Sequence, residues 1–358
     1  MFLRFLQCIV IASVLVAAHA RAAALPASEG PTYDFAAAQA AIALAQRWQA
    51  GQPPTEPQWQ ALIAMEAYQL VFSISSLTPD TLRQRFRLAF DPAATHEWKN
   101  VSEFEQQDIH HLRRALNDTQ WLQGEIRRLP REQALEKSIT LAQRWLPADS
   151  TGKPTGLRFV FGLFGQNAHA SAQGVVMDAY LNYRSDQHAP YELGAHELHH
   201  FFRRNIAVTP ALDRDSVLDR LADHLIHEGV ANLIDKQRFL QPGSPFSQAI
   251  KTYLNTAMTA APDNITKLNQ HLETAIESQQ FDTFSAVQQD ALPLWGHSVG
   301  WYMTQTIVRA GLDQALANSL TQPRDLFRLY NTAAIQLNEE LPLFSKKVLQ
   351  AYAKRAQQ

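Results

Sequence analysis

Five consecutive residues, His196-Glu197-Leu198-His199-His200, have a spacing that could support metal chemistry. If the segment is helical, 3.6 residues per turn place His196 and His200 one above the other, with Glu197 one step around the helix. Two imidazoles in that geometry can bind one metal ion, and the carboxylate can reach a water molecule on the ion. The pattern predicts the metal-binding helix of a zinc hydrolase, with Glu197 as the general base.

His199 offers a second pairing, because it lies close to His196 at a separation of three residues. The pairing of His196 with His200 keeps Glu197 between the two ligands, as the chemistry requires. We therefore expect His199 to be structural or to contact a ligand. Four apolar residues indicate that one side of this helix is buried: Leu193, Leu198, Phe201 and Phe202.

A hydrolytic zinc site needs a third protein ligand and an open position for water. The best candidate source is segment 223–232, and 27 residues separate His200 from Glu228. This gap allows a loop and the start of a second helix, on which a carboxylate would complete a site of two histidines and one glutamate. His224 is an alternative ligand because it shares a helical face with Glu228, whereas His227 lies about 100° away.

The two segments together resemble the gluzincin type of zinc metallopeptidase, in particular zinc-dependent peptidases whose third-ligand helix carries an EGxA motif. That motif matches Glu228-Gly229-x-Ala231, and the resemblance covers roughly residues 157 to 310. It implies that Glu197 is the base and that Gly229 and Ala231 allow close packing of the two motif helices. It also implies one zinc ion per chain with three ligands: His196, His200 and Glu228.

The resemblance further implies a hydrogen-bond donor for the developing oxyanion. In the similar peptidases, a Tyr or His followed three residues later by Gly lies on a downstream helix that faces the metal. His297-x-x-Gly300 fits this pattern, and Tyr302, about 140° around the helix, is the competing donor. By the same resemblance, a strand at 174–181 borders the cleft and offers backbone groups to an extended peptide.

The metzincin type of zinc peptidase does not fit this chain. After His200 come Phe201-Phe202-Arg203-Arg204, without the glycine and the third histidine that the metzincin motif places there.

The sequence predicts a mainly helical α+β fold, with a zincin-like core and a small sheet beside the metal-binding helix. Two short apolar segments at 157–164 and 174–181 are the candidate strands, expected to pair as a hairpin with 165–173 as the connection. The helix at His196 should begin near Pro190-Tyr191-Glu192. Helical periodicity predicts further helices at 35–49, from Thr55-Glu56-Pro57 onward, and at 79–90, 102–116, 119–128, 131–145, 214–236, 246–259, 263–279, 294–310, 323–336 and 342–355.

The N-terminal residues predict a secretory signal peptide at 1–24. Arg4 precedes a short apolar run, and small residues then allow cleavage after Ala20 or Ala24. We therefore expect a periplasmic or extracellular protein. The sole cysteine, Cys8, lies in the segment to be removed, so His, Asp and Glu side chains must hold any metal ion.

Charge and hydropathy exclude other classes of partner. The formal net charge is -2, and no basic run follows the signal peptide, which argues against nucleic acid and against an anionic membrane surface. No later segment is long and apolar enough to span a membrane, so the mature chain should be soluble. The sequence does not indicate an oligomeric state.

The predicted organisation after the signal peptide is an N-terminal helical region at 25–150, a catalytic core at 151–310 and C-terminal helices at 311–358, packed as one unit. The predicted function is that of an exported zinc metallopeptidase acting on peptides or proteins. Two alternatives remain open: a catalytically silent zinc-binding or interaction module, and a zinc hydrolase of a non-peptide amide or ester.

Overall fold

The chain folds as a mainly α-helical protein with one four-stranded sheet among its described residues, which confirms the predicted fold class. The computed structural model describes residues 32–94, 96–148, 156–172, 174–213, 216–244, 246–278 and 284–357. The predicted signal peptide at 1–24, with Cys8, lies outside these residues.

Up to the predicted metal-binding helix, the described elements are one short strand, seven α-helices, three short strands and two further α-helices. In chain order they are β1 (Thr32–Asp34), α1 (Ala36–Gln49), α2 (Glu56–Ile63), α3 (Glu66–Ile74), α4 (Pro79–Phe90), α5 (Glu103–Asn117), α6 (Gln120–Arg131), α7 (Ala134–Gln143), β2 (Arg158–Gly162), β3 (Ala168–Ser171), β4 (Gly174–Asp178), α8 (Ala179–His188) and α9 (Glu192–Arg204).

The elements after α9 are helical. They are α10 (Val217–Phe239), α11 (Gln248–Thr259), α12 (Ala261–Ser278), α13 (Phe284–Ala291), α14 (His297–Arg309), α15 (Asp313–Ser319), α16 (Leu326–Leu337) and α17 (Lys346–Arg355). Short 3₁₀ turns precede α14 and α16, at Pro293–Gly296 and Pro323–Asp325.

Several helix starts follow from capping residues that are legible in the sequence. Helix α4 starts at Pro79, and the side chain of Thr78 accepts a hydrogen bond from the backbone N–H of Thr81 at 3.1 Å. Helix α5 starts with a capping box between Ser102 and Glu105. These local signals explain why the predicted ranges 79–90 and 102–116 match the observed helices within one residue.

The predicted hairpin is wrong, because the two predicted strands pair in parallel. The strand order is β1-β2-β4-β3, with β2 parallel to β4 from Arg158 opposite Gly174 to Gly162 opposite Asp178. The connection expected at 165–173 itself contains β3, which pairs antiparallel with β4. Strand β4 therefore lies inside the sheet, and β3 forms one edge.

Two residues explain the position and length of β4. Gly174 has a φ of +142°, and a Cβ atom there would lie 2.3 Å from the carbonyl oxygen of Arg158, so only glycine allows this approach of β4 to β2. The predicted strand at 174–181 ends at Asp178, because this carboxylate accepts hydrogen bonds from the N–H groups of Tyr180 and Leu181 and starts α8.

The described residues fall into two units, each with its own core. Unit 1 has the bounds Met1–Ser138 and Lys153–Phe201, and unit 2 has the bounds Ile139–Gly152 and Phe202–Gln358. In unit 1, Phe35, the residue just before α1, stacks on Phe161 of β2, with ring centroids 4.2 Å apart. In unit 2, α10 packs along α14. The predicted boundaries at 150 and 310 stay a prediction.

None of the helices in the described ranges combines the length and the apolar character that crossing a membrane requires.

Candidate metal centre

The first turn of α9 is anchored to its neighbours in unit 1 through Tyr191. This residue has a φ of +67°, and its N–H donates to Asp186 at 2.9 Å. Its carbonyl oxygen accepts from the Ser138 hydroxyl at 3.1 Å, and its phenol donates to Glu132 at 2.8 Å. Gly194 lets α7 approach, since a Cβ atom there would lie 2.9 Å from the Ser138 oxygen. The helix that carries the histidines therefore starts at a fixed point.

The side chain of Asp186, which accepts the hydrogen bond from the Tyr191 N–H, is almost fully buried. Burial raises the pKa of Asp186 to about 6, and the Arg128 guanidinium, 2.5 Å from it, limits the rise. The Asp186 side chain is consequently ionised at neutral pH and holds Tyr191 with a charge-assisted hydrogen bond.

His196 and His200 present their ring nitrogens to the same point. Their Nε2 atoms lie 3.1 Å apart, and the side chains are only 4% and 7% exposed. Two nitrogen ligands about 2.05 Å from one tetrahedral ion would lie about 3.3 Å apart. His199 is fully buried, and its ring centroid lies 6.4 Å from that of His200. The geometry favours the pairing that the spacing predicts.

Helix α10 presents Glu228, which is 3% exposed. The helix starts where the Ser216 side chain accepts from the Asp219 N–H. Within unit 2, the last turn of α9 is tied to α10 by an ion pair between Arg203 and Asp223, with Nη2 and Oδ1 2.5 Å apart. The Arg203 side chain is 5% exposed and the Asp223 side chain 32% exposed, so the guanidinium is buried while the carboxylate is partly open to solvent.

His196, His200 and Glu228 each offer one ligand atom, and these three atoms lie within 4.8 Å of one another. The set of two nitrogen donors and one carboxylate oxygen fits zinc, which is held by such groups in hydrolytic sites with a fourth position left open. With neutral imidazoles, a divalent ion and one carboxylate leave a net charge of one positive unit, which favours polarisation of a carbonyl group. Neither His224 nor His227 belongs to this group of ligand atoms.

Gly229 has a different packing partner from the one that the EGxA resemblance implied. A Cβ atom on Gly229 would lie 2.4 Å from the carbonyl oxygen of Gly300, and one on Gly300 would lie 2.4 Å from that of Leu225. The glycine of the EGxA segment thus brings α10 against α14, whereas the resemblance implied packing of α10 against α9. Ala231 is fully buried.

The turn before α14 has an unusual backbone that positions His297. Leu294, Trp295 and Gly296 all have positive φ values, of +55°, +57° and +86°. The carbonyl oxygen of Trp295 contacts the Nε2 atom of His224. The histidine weighed as an alternative zinc ligand therefore supports this turn instead.

His297, the first residue of α14, lies beside the predicted third ligand. Its Nδ1 atom is 3.1 Å from Oε2 of Glu228. The amide nitrogen of Asn232 lies 3.3 Å from the same Nδ1 atom and donates to the His297 carbonyl oxygen at 3.4 Å. Asn232 on α10 thus contacts both the ring and the backbone of the first residue of α14.

Tyr302, the competing oxyanion donor, lies in a different electrostatic environment from His297. Burial raises the pKa of its phenol, and the charges that act on it belong to Arg309 and Glu339. Those residues form an ion pair with each other. The structure thus brings His297 close to Glu228 and surrounds Tyr302 with other groups.

Two further contacts in this region involve charged residues of α9 and α10. Asp235 is fully buried and lies 2.7 Å from the Lys236 Nζ atom. The Arg203–Asp223 ion pair was missed, although a basic residue one turn after His200 and an acidic residue one turn before His227 are both visible in the sequence. No local pattern indicates that these two side chains meet.

Comparison with known proteins identifies one family. A family model described as "Putative zinc dependent peptidase (DUF5700)" matches residues 59–339, which is more than half of the 358 residues. No curated protein and no solved structure matches the chain. The matched range includes both the HExxH helix and the EGxA helix. Since the match extends over most of the sequence, the chain belongs to this family of zinc-dependent peptidases.

Proposed function

We propose that the protein is an exported zinc-dependent metallopeptidase in which His196, His200 and Glu228 bind one zinc ion and Glu197 is the general base. The observation that supports this assignment best is the convergence of one ligand atom from each of the three residues within 4.8 Å. The family match over residues 59–339 supports the class of reaction.

When bound, zinc polarises a carbonyl group and makes water a nucleophile near neutral pH, since it lowers the pKa of water toward about 7. Glu197 is only 7% exposed and follows His196 directly on α9. Its carboxylate accepts the proton of the attacking water and transfers it to the leaving amine. The surrounding buried side chains keep this proton transfer away from bulk solvent.

The resemblance implied that the strand at 174–181 borders the cleft and offers backbone groups to an extended peptide. This strand corresponds to β4, which has a hydrogen-bonded partner on each side.

The experiment that tests the assignment compares wild type with Glu197→Gln for bound metal and for hydrolysis of a mixed peptide pool. We expect about one zinc per chain in both proteins. Loss of the base should lower peptide hydrolysis by a factor on the order of 100 to 10,000. Elemental analysis and mass spectrometry of the cleaved peptides give the two measurements.

The matched control is Glu103→Gln, the same chemical change at an exposed position in the first turn of α5. It should retain wild-type zinc content and activity. Absence of zinc from wild type, or full activity in Glu197→Gln, would overturn the proposal. Zinc without turnover over a broad peptide pool would instead indicate a silent binding module, and cleavage restricted to non-peptide esters or amides would indicate a different hydrolase.

A further inference from the structure

Tyr191, the residue just before α9, has a backbone conformation that bulky side chains rarely adopt. Its φ of +67° lies in the left-handed region, which tyrosine enters only at a cost in free energy. A residue keeps this conformation where its surroundings hold it, and such residues often lie at functional sites. Tyr191 precedes His196 by five residues. The conformation of Tyr191 therefore sets how the metal-binding helix leaves the preceding turn.

Groups on three other elements hold both the backbone and the side chain of Tyr191. Its N–H donates to Asp186 of α8 at 2.9 Å, and its carbonyl oxygen accepts from Ser138 of α7 at 3.1 Å. Its phenol donates to Glu132, which directly follows α6, at 2.8 Å, and accepts from the Lys137 ammonium at 3.2 Å. A rotation of the Tyr191 backbone would consequently break several hydrogen bonds at once.

The charges around Arg128 explain why the hydrogen-bond donors of Tyr191 are needed here. The guanidinium faces three carboxylates, Glu125 at 2.7 Å, Asp186 at 2.5 Å and Glu132 at 3.0 Å. The side chains of Glu125 and Asp186 are each 4% exposed, and buried carboxylates need further donors. Tyr191 supplies its N–H and its O–H. The hydrogen bond from its phenol is the largest cause of the lowered pKa of the Glu132 carboxyl.

We propose that Tyr191 is a positioning residue for the zinc site. Asp186 and Glu132 hold it in the left-handed conformation, and this fixed start sets the direction of α9. Because five residues span less than one and a half helical turns, a shift at Tyr191 moves the imidazoles of His196 and His200 away from the geometry that one ion requires. This inference rests on the proposed function, since it takes these two histidines as zinc ligands.

The test uses two variants of the full chain, Asp186→Asn and Tyr191→Gly. Asparagine presents its oxygen to only one of the two donors, the Tyr191 N–H or Arg128, and its NH₂ group then faces the other. Glycine adopts the same φ without strain, but it also adopts many others and has no phenol. We expect both variants to bind zinc about 2 to 30 times more weakly than wild type. Competition with a chromophoric chelator measures the dissociation constant, at a temperature where circular dichroism shows each variant to be folded.

Cobalt substitution gives a second measurement, which a loss of stability alone would not change. The visible absorption of bound Co²⁺ depends on the arrangement of its ligands, so both variants should alter the cobalt bands. The matched control is Asn338→Gly, which also introduces glycine at a residue of positive φ, +52°, at the exposed C-terminal end of α16. This control should keep the zinc affinity and the cobalt spectrum of wild type.

Wild-type zinc affinity and an unchanged cobalt spectrum in both variants would overturn the inference and leave the proposed function intact. The same result would overturn it even if the variants unfold at a lower temperature, because Tyr191 would then act only on stability. If Asp186→Asn does not fold, Tyr191→Gly decides, since glycine tolerates the backbone conformation. Wild-type protein that binds neither metal would overturn both proposals.

Discussion

Asp178 is the residue that joins the sheet to the helices of unit 1 through the hydrogen bonds of one buried side chain. Its side chain is fully buried. Oδ2 accepts hydrogen bonds from the N–H groups of Phe164 and Gly165, at 2.7 and 3.0 Å. Oδ1 lies 2.8 Å from Nε2 of His111 and also caps α8. One carboxylate therefore fixes the end of β4, the segment after β2 and the start of α8.

We expect Asp178→Asn to destabilise the protein by roughly 3 kcal/mol or more. The amide NH₂ would face backbone N–H donors and leave at least one of them without an acceptor in the interior. The midpoint of urea-induced unfolding measures the effect.

Asp80→Asn is the matched control, because Asp80 is exposed in the first turn of α4. It should change the free energy of unfolding by less than about 0.5 kcal/mol. Equal midpoints for the two variants would contradict the role assigned to Asp178.

The sequence predicted the relative positions of the HExxH residues, but not the contacts of His297. His196, Glu197 and His200 lie on one helix, where a fixed rise and turn per residue determine their relative positions. The contact of His297 with Glu228 depends instead on a turn with three consecutive positive φ values. A motif such as His-x-x-Gly can mark the helix, but it does not determine which ring nitrogen faces which neighbour.

At the scale of elements, the packing of α10 against α14 depends on two glycines that face each other. Gly229 and Gly300 lie where an added methyl group would meet a carbonyl oxygen of the opposite helix. Because the obstacle is backbone, neither helix can relieve the clash by a change of rotamer. The separation of these two helices is therefore sensitive to a single methyl group.

We expect Gly300→Ala to destabilise the protein by about 1 to 3 kcal/mol, since the helices must separate to admit the methyl group. Gly124→Ala on α6 should change the stability in the opposite direction. No atom lies within 4 Å of a Cβ atom placed at Gly124, so the change stabilises the helix by about 0.5 to 1 kcal/mol. Thermal unfolding measures both, and a stabilising effect of Gly300→Ala would contradict the close packing.

Element boundaries followed from the sequence more readily than element pairing did. Caps such as Thr78 and Ser102 act within one turn and are read directly. Strand pairing could not be read in this way. The sheet order depends on the pairing of β2 with β4, which are not consecutive in the chain because β3 lies between them in sequence. Gly174 permits that contact, but a lone glycine before an apolar segment is also compatible with the hairpin that we expected.

At the scale of the whole molecule, the prediction concerns export and the loss of the only thiol. If the signal peptide is removed after Ala20 or Ala24, Cys8 leaves with it. The exported chain should then have an intact mass that corresponds to one of these two cleavage sites. Its unfolding midpoint should also be the same with and without a thiol reductant. An exported chain that retains Cys8 would contradict the cleavage prediction.

The imidazoles of His196 and His200 on α9 also affect which metal ion the protein binds in a cell. Nitrogen and oxygen donors of this kind follow the Irving–Williams order, in which divalent copper binds more tightly than zinc. His196 and His200, already 3.1 Å apart at Nε2, would hold copper as readily. Affinity therefore does not exclude the wrong ion, and correct loading depends on the metal supply of the compartment where the chain folds.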